Sequence, residues 1–123
     1  MGGVFKSNAQ KAVAYFQEDE RISGEIGDFT GRIKIPSFIG QIYARLGEYR
    51  KAADSFDKSR ALARACGRDI DEVYALLGLH GAYVKLNMQK ETKSVSHQLE
   101  KFQQKASLPE DLKNMITAAV AES

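Results

Sequence analysis

The segment Tyr43-Ala44-Arg45-Leu46-Gly47-Glu48-Tyr49-Arg50-Lys51-Ala52 returns forty residues later as Tyr83-Val84-Lys85-Leu86-Asn87-Met88-Gln89-Lys90-Glu91-Thr92. The tyrosine, basic and leucine positions coincide. Gly47 answers to Asn87, and glycine and asparagine are the residues that most readily take a left-handed backbone after a helix. Forty residues before Ala52 and Phe56 stand Ala12 and Phe16; forty before Leu62 and Gly67 stand Ile22 and Gly27. A unit of this size cannot close a core alone, so a chain built from it must stack its units and bury them against one another.

Inside that frame the apolar residues recur at helical spacing. Ala9, Ala12, Val13 and Phe16 form one stripe; Ile39, Ile42, Tyr43 and Leu46 form the next. Ala52, Ala53, Phe56 and Leu62 follow, then Val73, Leu76, Leu77, His80, Tyr83 and Val84. No stretch alternates as a strand does. Breaks at Gly27-Asp28, Gly47, Gly67-Arg68-Asp69, Asn87 and Ser107-Leu108-Pro109 predict about six helices. Ser107 with Glu110 reads as a capping box, with Pro109 in the first turn, where its missing donor costs nothing. The expectation is an all-α antiparallel helix-pair solenoid forming one domain over 1–123: a half unit 5–27, a unit 28–67, a degenerate unit 68–107 and a final helix 108–122. Short residues let paired helices approach, so Gly40, Ala52 and Ser59 are expected at crossings, with Tyr43 and Phe56 filling the gaps. Pro36 interrupts a helix that starts near Asp28, so either the helix bends there or it starts later.

These positions resemble the tetratricopeptide repeat, whose pattern is a large residue, Leu-Gly and Tyr on a first helix, with Ala and Phe on a second. Pro36, Ile39, Gly40 and Tyr43 match the first half, Ala52 and Phe56 the second, and Gly47 and Tyr49 fall at the turn. The next unit keeps Leu76, Leu79 and Tyr83 but has His80 for Gly, Thr92 for Ala and Ser96 for Phe. A period of forty is similar to the long-helix variety seen in rapsyn and the G-protein-signalling modulators. The resemblance implies a superhelix whose first helices line a concave groove. It would present Lys34, Ser37, Gln41 and Arg45 from one unit and Tyr74, Leu77, Gly81 and Lys85 from the next. There the basic residues could hold acidic groups of a peptide or helix, with Tyr74 and Leu77 as apolar contacts; the plain alternative is a solvated basic surface. Chaperone-binding members grip a terminal carboxylate with Lys and Asn. Ser37 and Gln41 stand in those places here, which argues against that activity.

Composition narrows the remaining classes. The 123 residues fit one domain, and 43% hydrophobic with 28% charged residues is the make-up of a chain that folds in water. A net charge of +2 does not create the field that phosphate backbones require, so nucleic acid is not an expected partner. Cys66 is the single cysteine, which fits a reducing compartment, and no run reaches the roughly 18 apolar residues of a membrane span. An intracellular location, cytoplasmic or within a large intracellular assembly, is therefore expected. The opening Met1-Gly2-Gly3-Val4-Phe5-Lys6-Ser7 has no signal-peptide core; it narrowly misses a myristoylation signal, with Lys6 where Ser or Thr is wanted.

His80, His97 and Cys66 are not spaced as helical metal ligands are. His80 reads as helix packing, His97 as surface and Cys66 as a small apolar filler. Glu18-Asp19-Glu20 and Asp69 with Asp71 read as solvated faces, the latter pair also suiting a helix start. The scattered glycines, Gly78 and Gly81 among them, carry no phosphate-loop Lys-Ser or Lys-Thr and read as helix ends and crossings. No catalytic residue, metal site or cofactor is therefore expected. The function so read is non-catalytic: a scaffold or adaptor binding another protein.

A different reading follows from the half units at both ends, since solenoids need capped ends. The chain would then be a structural subunit, or a fragment, stacking by its terminal helices in a larger assembly or oligomer, with Val4, Phe5, Val13 and the apolar face of the last helix as docking residues. A small enzyme or ligand-binding bundle forms a third class, for which no convergent polar set is evident.

Overall fold

A computed structural model describes residues 2–123, and side chains other than those of residues 2, 4 and 5. Val4 and Phe5, expected as docking residues, fall outside the described side chains. Six helices follow one another: α1 Gly2–Ile26, α2 Phe29–Arg45, α3 Tyr49–Ala65, α4 Asp69–Lys85, α5 Gln89–Phe102 and α6 Glu110–Ala121. Among the described residues none of these is long and apolar enough to cross a membrane.

Four turns share one backbone solution. Gly27, Gly47, Gly67 and Asn87 have φ of 74°, 76°, 68° and 57°. After each, the next amide closes back on the preceding helix, as Glu48 N does on Tyr43 O at 2.9 Å and Met88 N on Tyr83 O at 3.0 Å. These are Schellman-type closures, which satisfy carbonyls the helix end would leave open. They recur every twenty residues, so the forty-residue period is a pair of near-equal helices. At Asn87 an L residue takes the strained conformation; asparagine tolerates it best.

Each helix packs on the next in order, which makes the chain an antiparallel helix-pair solenoid. In addition α2 packs against α4 and α4 against α6, whereas the backbones of α1, α3 and α5 stand apart and meet through long side chains, Lys58 with Glu20 and Arg64 with Gln98. The first-type helices α2, α4 and α6 therefore form the tighter, inner row, and the second-type helices splay on the outer side.

The main core joins α3, α4, α5 and α6 through Phe56, Val73, Leu76, Leu79, Leu99 and Ile116. A smaller cluster of Val13, Ile35 and Ile39 ties α1 to α2, and Tyr43 packs against both. The central knob is Phe56, 4% exposed. A β-carbon at Gly40 would lie 3.0 Å from three of its ring atoms, and one at Gly78 would lie 2.5 Å from two. Phe56 thus fills the space left by two glycines on two different helices, close to the limit of packing. Ala52 at 0% and Ser59 at 1% exposure also sit at crossings, as their size predicts. In the degenerate unit the sizes are exchanged: His80 stands for Gly40 and Ser96 for Phe56. Both are buried, and the Ser123 hydroxyl joins them, meeting His80 Nε2 at 2.9 Å and the Ser96 hydroxyl.

Pro36 lies inside α2, which starts at Phe29, so the later start is not the solution adopted. Proline offers no amide to the carbonyl one turn back. At the neighbouring carbonyl, Ser59 Oγ donates to Ile33 O at 2.6 Å and Ser37 Oγ donates to Ser59 at 2.9 Å. Side chains thus reach the backbone beside the interrupted turn.

Several sequence expectations need correction. Ser107 does not cap α6: Pro109 is the N-cap residue, with extended ψ of 146°, and its own carbonyl accepts from Leu112 N and Lys113 N. A proline at that point holds the chain extended, which places Leu108 in the core at 4% exposure and leaves Ser107 in solvent. Cys66 is exposed rather than a filler, because it falls at the helix end just before the turn glycine. Val13 is buried against Ile35 and Ile39, which removes it from any docking surface. Gly81 and Gly24 are not crossings, since a β-carbon at either would meet nothing within 4 Å.

Candidate functional site

The eight expected groove residues fall in four frame-related pairs on the inner helices: Lys34 and Tyr74, Ser37 and Leu77, Gln41 and Gly81, Arg45 and Lys85. Lys34, Gln41, Arg45, Tyr74, Gly81 and Lys85 are exposed, and Ser37 and Leu77 are half-buried. The reason is helical geometry. Residues one position beyond the buried stripe of Ile33, Pro36 and Gly40, or of Val73, Leu76 and His80, face the same side on both helices.

These side chains differ in what remains available. The Ser37 hydroxyl donates to Ser59 and belongs to the helix-pair contact. Leu77 packs partly on the main core. Lys34 Nζ stands 4.0 Å from Asp71 Oδ1 on α4, while Arg68 Nε holds the other oxygen of Asp71 at 2.8 Å. Lys34 therefore spends part of its charge across the α2–α4 seam. Arg45 and Lys85 have no carboxylate within ion-pair distance among the described residues. They lie at the same edge, each in the last turn of its helix, where a cation also suits the helix dipole.

Tyr74 is 51% exposed, and Ile70, one turn earlier on α4, is 44% exposed. Together with Leu77 they make an apolar stripe at i, i+4 and i+7 on the inner face. Ile70 was absent from the sequence expectation because the resemblance was carried over position by position, and its equivalent on α2 is the polar Thr30. The spacing alone would have found it. Gly81 leaves open space beyond this stripe.

Of the acidic residues read as solvated faces, Glu18, Glu20, Asp69 and Asp71 are engaged in ion pairs, and Asp19 is not. Arg21 bridges Glu18 and Glu25, both at 2.6 Å, Lys58 reaches Glu20 at 2.9 Å, and Lys105 reaches Asp69 at 2.9 Å. The Arg21 hydrogen bond holds the Glu18 carboxyl below its usual range, and the same pairing raises the Arg21 guanidinium. Arg64 binds Glu72, 6% exposed, and Gln98, tying three successive helices on the outer side.

A cavity of about 380 Å³ opens between the α4–α5 turn and the end of α6, lined by Tyr83, Asn87, Met88, Thr92, Lys93 and Ser123. It lies away from the inner stripe. The Thr92 hydroxyl in its wall already donates to Met88 O at 2.8 Å. The adjoining His80 is pushed below its ordinary 6.5 by burial, an effect partly opposed by Glu122. Sequence reasoning missed this His80–Ser96–Ser123 node, although the frame held the signal: Ser123 falls where Tyr43 and Tyr83 stand. The two histidines thus differ, His80 sealed in the node and His97 exposed. No protein-family model matches this chain, and no curated protein matches it.

Proposed function

We propose that the chain is a non-catalytic, tetratricopeptide-like interaction module, whose inner face takes a short segment of a partner protein through an apolar anchor beside acidic residues. The observation that carries this reading is the stripe of Ile70, Tyr74 and Leu77 next to the unpaired cations Arg45 and Lys85. An exposed aromatic in the middle of an apolar stripe is the kind of residue that dominates interface energies, and nearby cations steer acidic partners and select among them. Lys34 contributes less to this, being shared with Asp71. An intracellular, reducing setting accompanies this reading.

Selection of peptides from a random display library against the chain tests it. Enriched peptides should combine an aromatic or aliphatic anchor with Asp or Glu. Tyr74→Ala should weaken them about tenfold or more, and Arg45→Glu with Lys85→Glu should cut binding most at low salt. Selected peptides that bind both variants as tightly as the parent would refute the groove.

A second reading, stacking within a larger assembly, is favoured by the outer end of the solenoid, where Tyr15 and Ile26 are 75% and 73% exposed. Light scattering separates the two: a stable monomer fits the module, concentration-dependent association the stacking subunit.

A further inference from the structure

The outer side of the solenoid repeats in space as it does in sequence. The shallow grooves beside Tyr43 and Tyr83 are lined at positions forty residues apart, Gln17 and Asp57, Glu20 and Arg60, Lys58 and Gln98 among them. A difference between equivalent residues is therefore a difference at one place in the fold. At one such place the second unit is closed by Arg64, whose guanidinium donates to the buried Glu72 carboxylate at 2.9 Å and to Gln98 Oε1 at 2.6 Å. In the first unit the same three positions hold Gly24, Arg32 and Lys58. The centre has lost its side chain, and both of its partners have become cations. A cavity of about 500 Å³ is left there, walled by residues of α1, α2 and α3, with Ala61 and Leu62 as its apolar lining. A β-carbon at Gly24 would meet nothing within 4 Å.

The charges around this cavity do not cancel. Arg21 is spent on Glu18 and Glu25, and Lys58 is shared with Glu20 at 2.9 Å. Arg32 lies over the Phe29 ring at 5.8 Å and has no carboxylate within ion-pair distance among the described residues. One positive charge is left over, at the position where Glu72 supplies a negative one in the next unit.

We propose that this cavity binds a carboxylate carried on an apolar stem, either a free organic acid or an acidic side chain of a partner polypeptide. The carboxylate takes the place that the Arg64 guanidinium holds in the next unit and accepts from Arg32 on α2 and Lys58 on α3. The internal closure is thus kept in geometry and exchanged in charge. A planar group bridging two partners is what that geometry holds, and one uncompensated cation matches a monoanion better than a phosphate dianion. Ala61 and Leu62 receive the stem. The site is on the outer side and does not depend on the inner groove.

The test uses the intact chain, isotopically labelled, with hexanoate, its neutral analogue hexanamide, inorganic phosphate and a capped Leu-Glu-Leu peptide as probes. Hexanoate, the peptide or both should shift the signals of Gly24, Arg32, Lys58 and Leu62 with a Kd of about 1 mM, and whichever binds identifies the source. Hexanamide and phosphate should bind at least about tenfold more weakly, and Arg32→Gln should cost the carboxylate probes a similar factor. A second measurement needs no ligand. Gly24→Glu places a carboxylate at the empty centre from within the chain, so it should block the probes and melt about 2 °C or more above Gly24→Gln. Arg32→Gln should abolish that difference in melting. No shift up to about 10 mM hexanoate or peptide, equal binding of hexanamide or phosphate, or carboxylate binding indifferent to Arg32→Gln overturns the proposal. Shifts confined to Arg45, Tyr74 and Lys85 overturn it while leaving the inner groove standing. Equal melting of Gly24→Glu and Gly24→Gln overturns it whatever the probes do.

Discussion

Gly78→Ala sets two known effects against each other at one site. In a helix interior, alanine gains about 0.5–1 kcal/mol over glycine from the lower entropy of the unfolded chain. Against this, the new methyl would stand 2.5 Å from two carbons of the Phe56 ring. The ring cannot retreat, because Gly40 lets α2 close on its other side at 3.0 Å. Overpacking of this kind costs about 1–3 kcal/mol. The net expectation is a loss of up to about 2.5 kcal/mol, or up to roughly 10 °C in a chain of this length, in place of the gain. Gly81→Ala on the same helix is the control: nothing lies within 4 Å of its β-carbon, so only the helix-propensity gain should appear. Thermal and urea denaturation followed by circular dichroism would measure both. Adding Phe56→Leu to Gly78→Ala should recover part of the loss, so the two changes should couple favourably in a double-mutant cycle. If Gly78→Ala raises the melting temperature as much as Gly81→Ala does, Phe56 is not held between the two glycines and the central crossing is misread.

Four further outcomes follow from the same geometry. Gly40→Leu should lower the melting temperature by several degrees, since its side chain extends beyond a β-carbon already in contact with Phe56; denaturation checks it. Ser59→Ala should cost about 1–2 kcal/mol in urea melts, because the buried Ile33 carbonyl and the Ser37 hydroxyl lose a shared partner. Asn87→Gly should stabilise by about 0.5–1 kcal/mol, and Gly47→Ala should destabilise by about 1 kcal/mol or more, because φ is positive at both. His80 has a folded pKa below its unfolded one, so the unfolded state takes up the proton first. Stability should be full above about pH 6.5, fall as pH drops through that value towards the folded pKa, and level off below it; His80→Gln should remove this share of the pH dependence of urea melts, while His97→Gln should not.

Most of the architecture was legible because the same backbone requirement recurs. Gly27, Gly47, Gly67 and Asn87 all take left-handed φ, and few other residues would do so, which makes the turns visible in one sequence. Apolar spacing then identified the buried face of each helix, and Gly40, Ala52 and Ser59 stood out by size. Less was legible where a residue's role depends on a partner far away in the chain. Gly78 read as one of several helix-end or crossing glycines, but nothing nearby in sequence points to Phe56 on another helix as its partner. Lys34 looked free, since Asp71 is brought beside it only by stacking. Ser107 fitted a capping pattern that Pro109 overrode locally.

The degenerate unit is better understood as a compensated one. Replacing glycine by histidine at position 80 would overfill the crossing if a phenylalanine stood at position 96, and serine at position 96 would leave a void if a glycine stood at position 80. Together the two changes nearly conserve volume, and with Ser123 they gather three polar groups where the first unit has Gly40, the Phe56 ring and Tyr43. Those groups satisfy one another through Ser123, the frame equivalent of the tyrosine that packs at the same level of the first unit. The loss of the repeat pattern at 80 and 96 is therefore one event in space, although it reads as two defects in sequence.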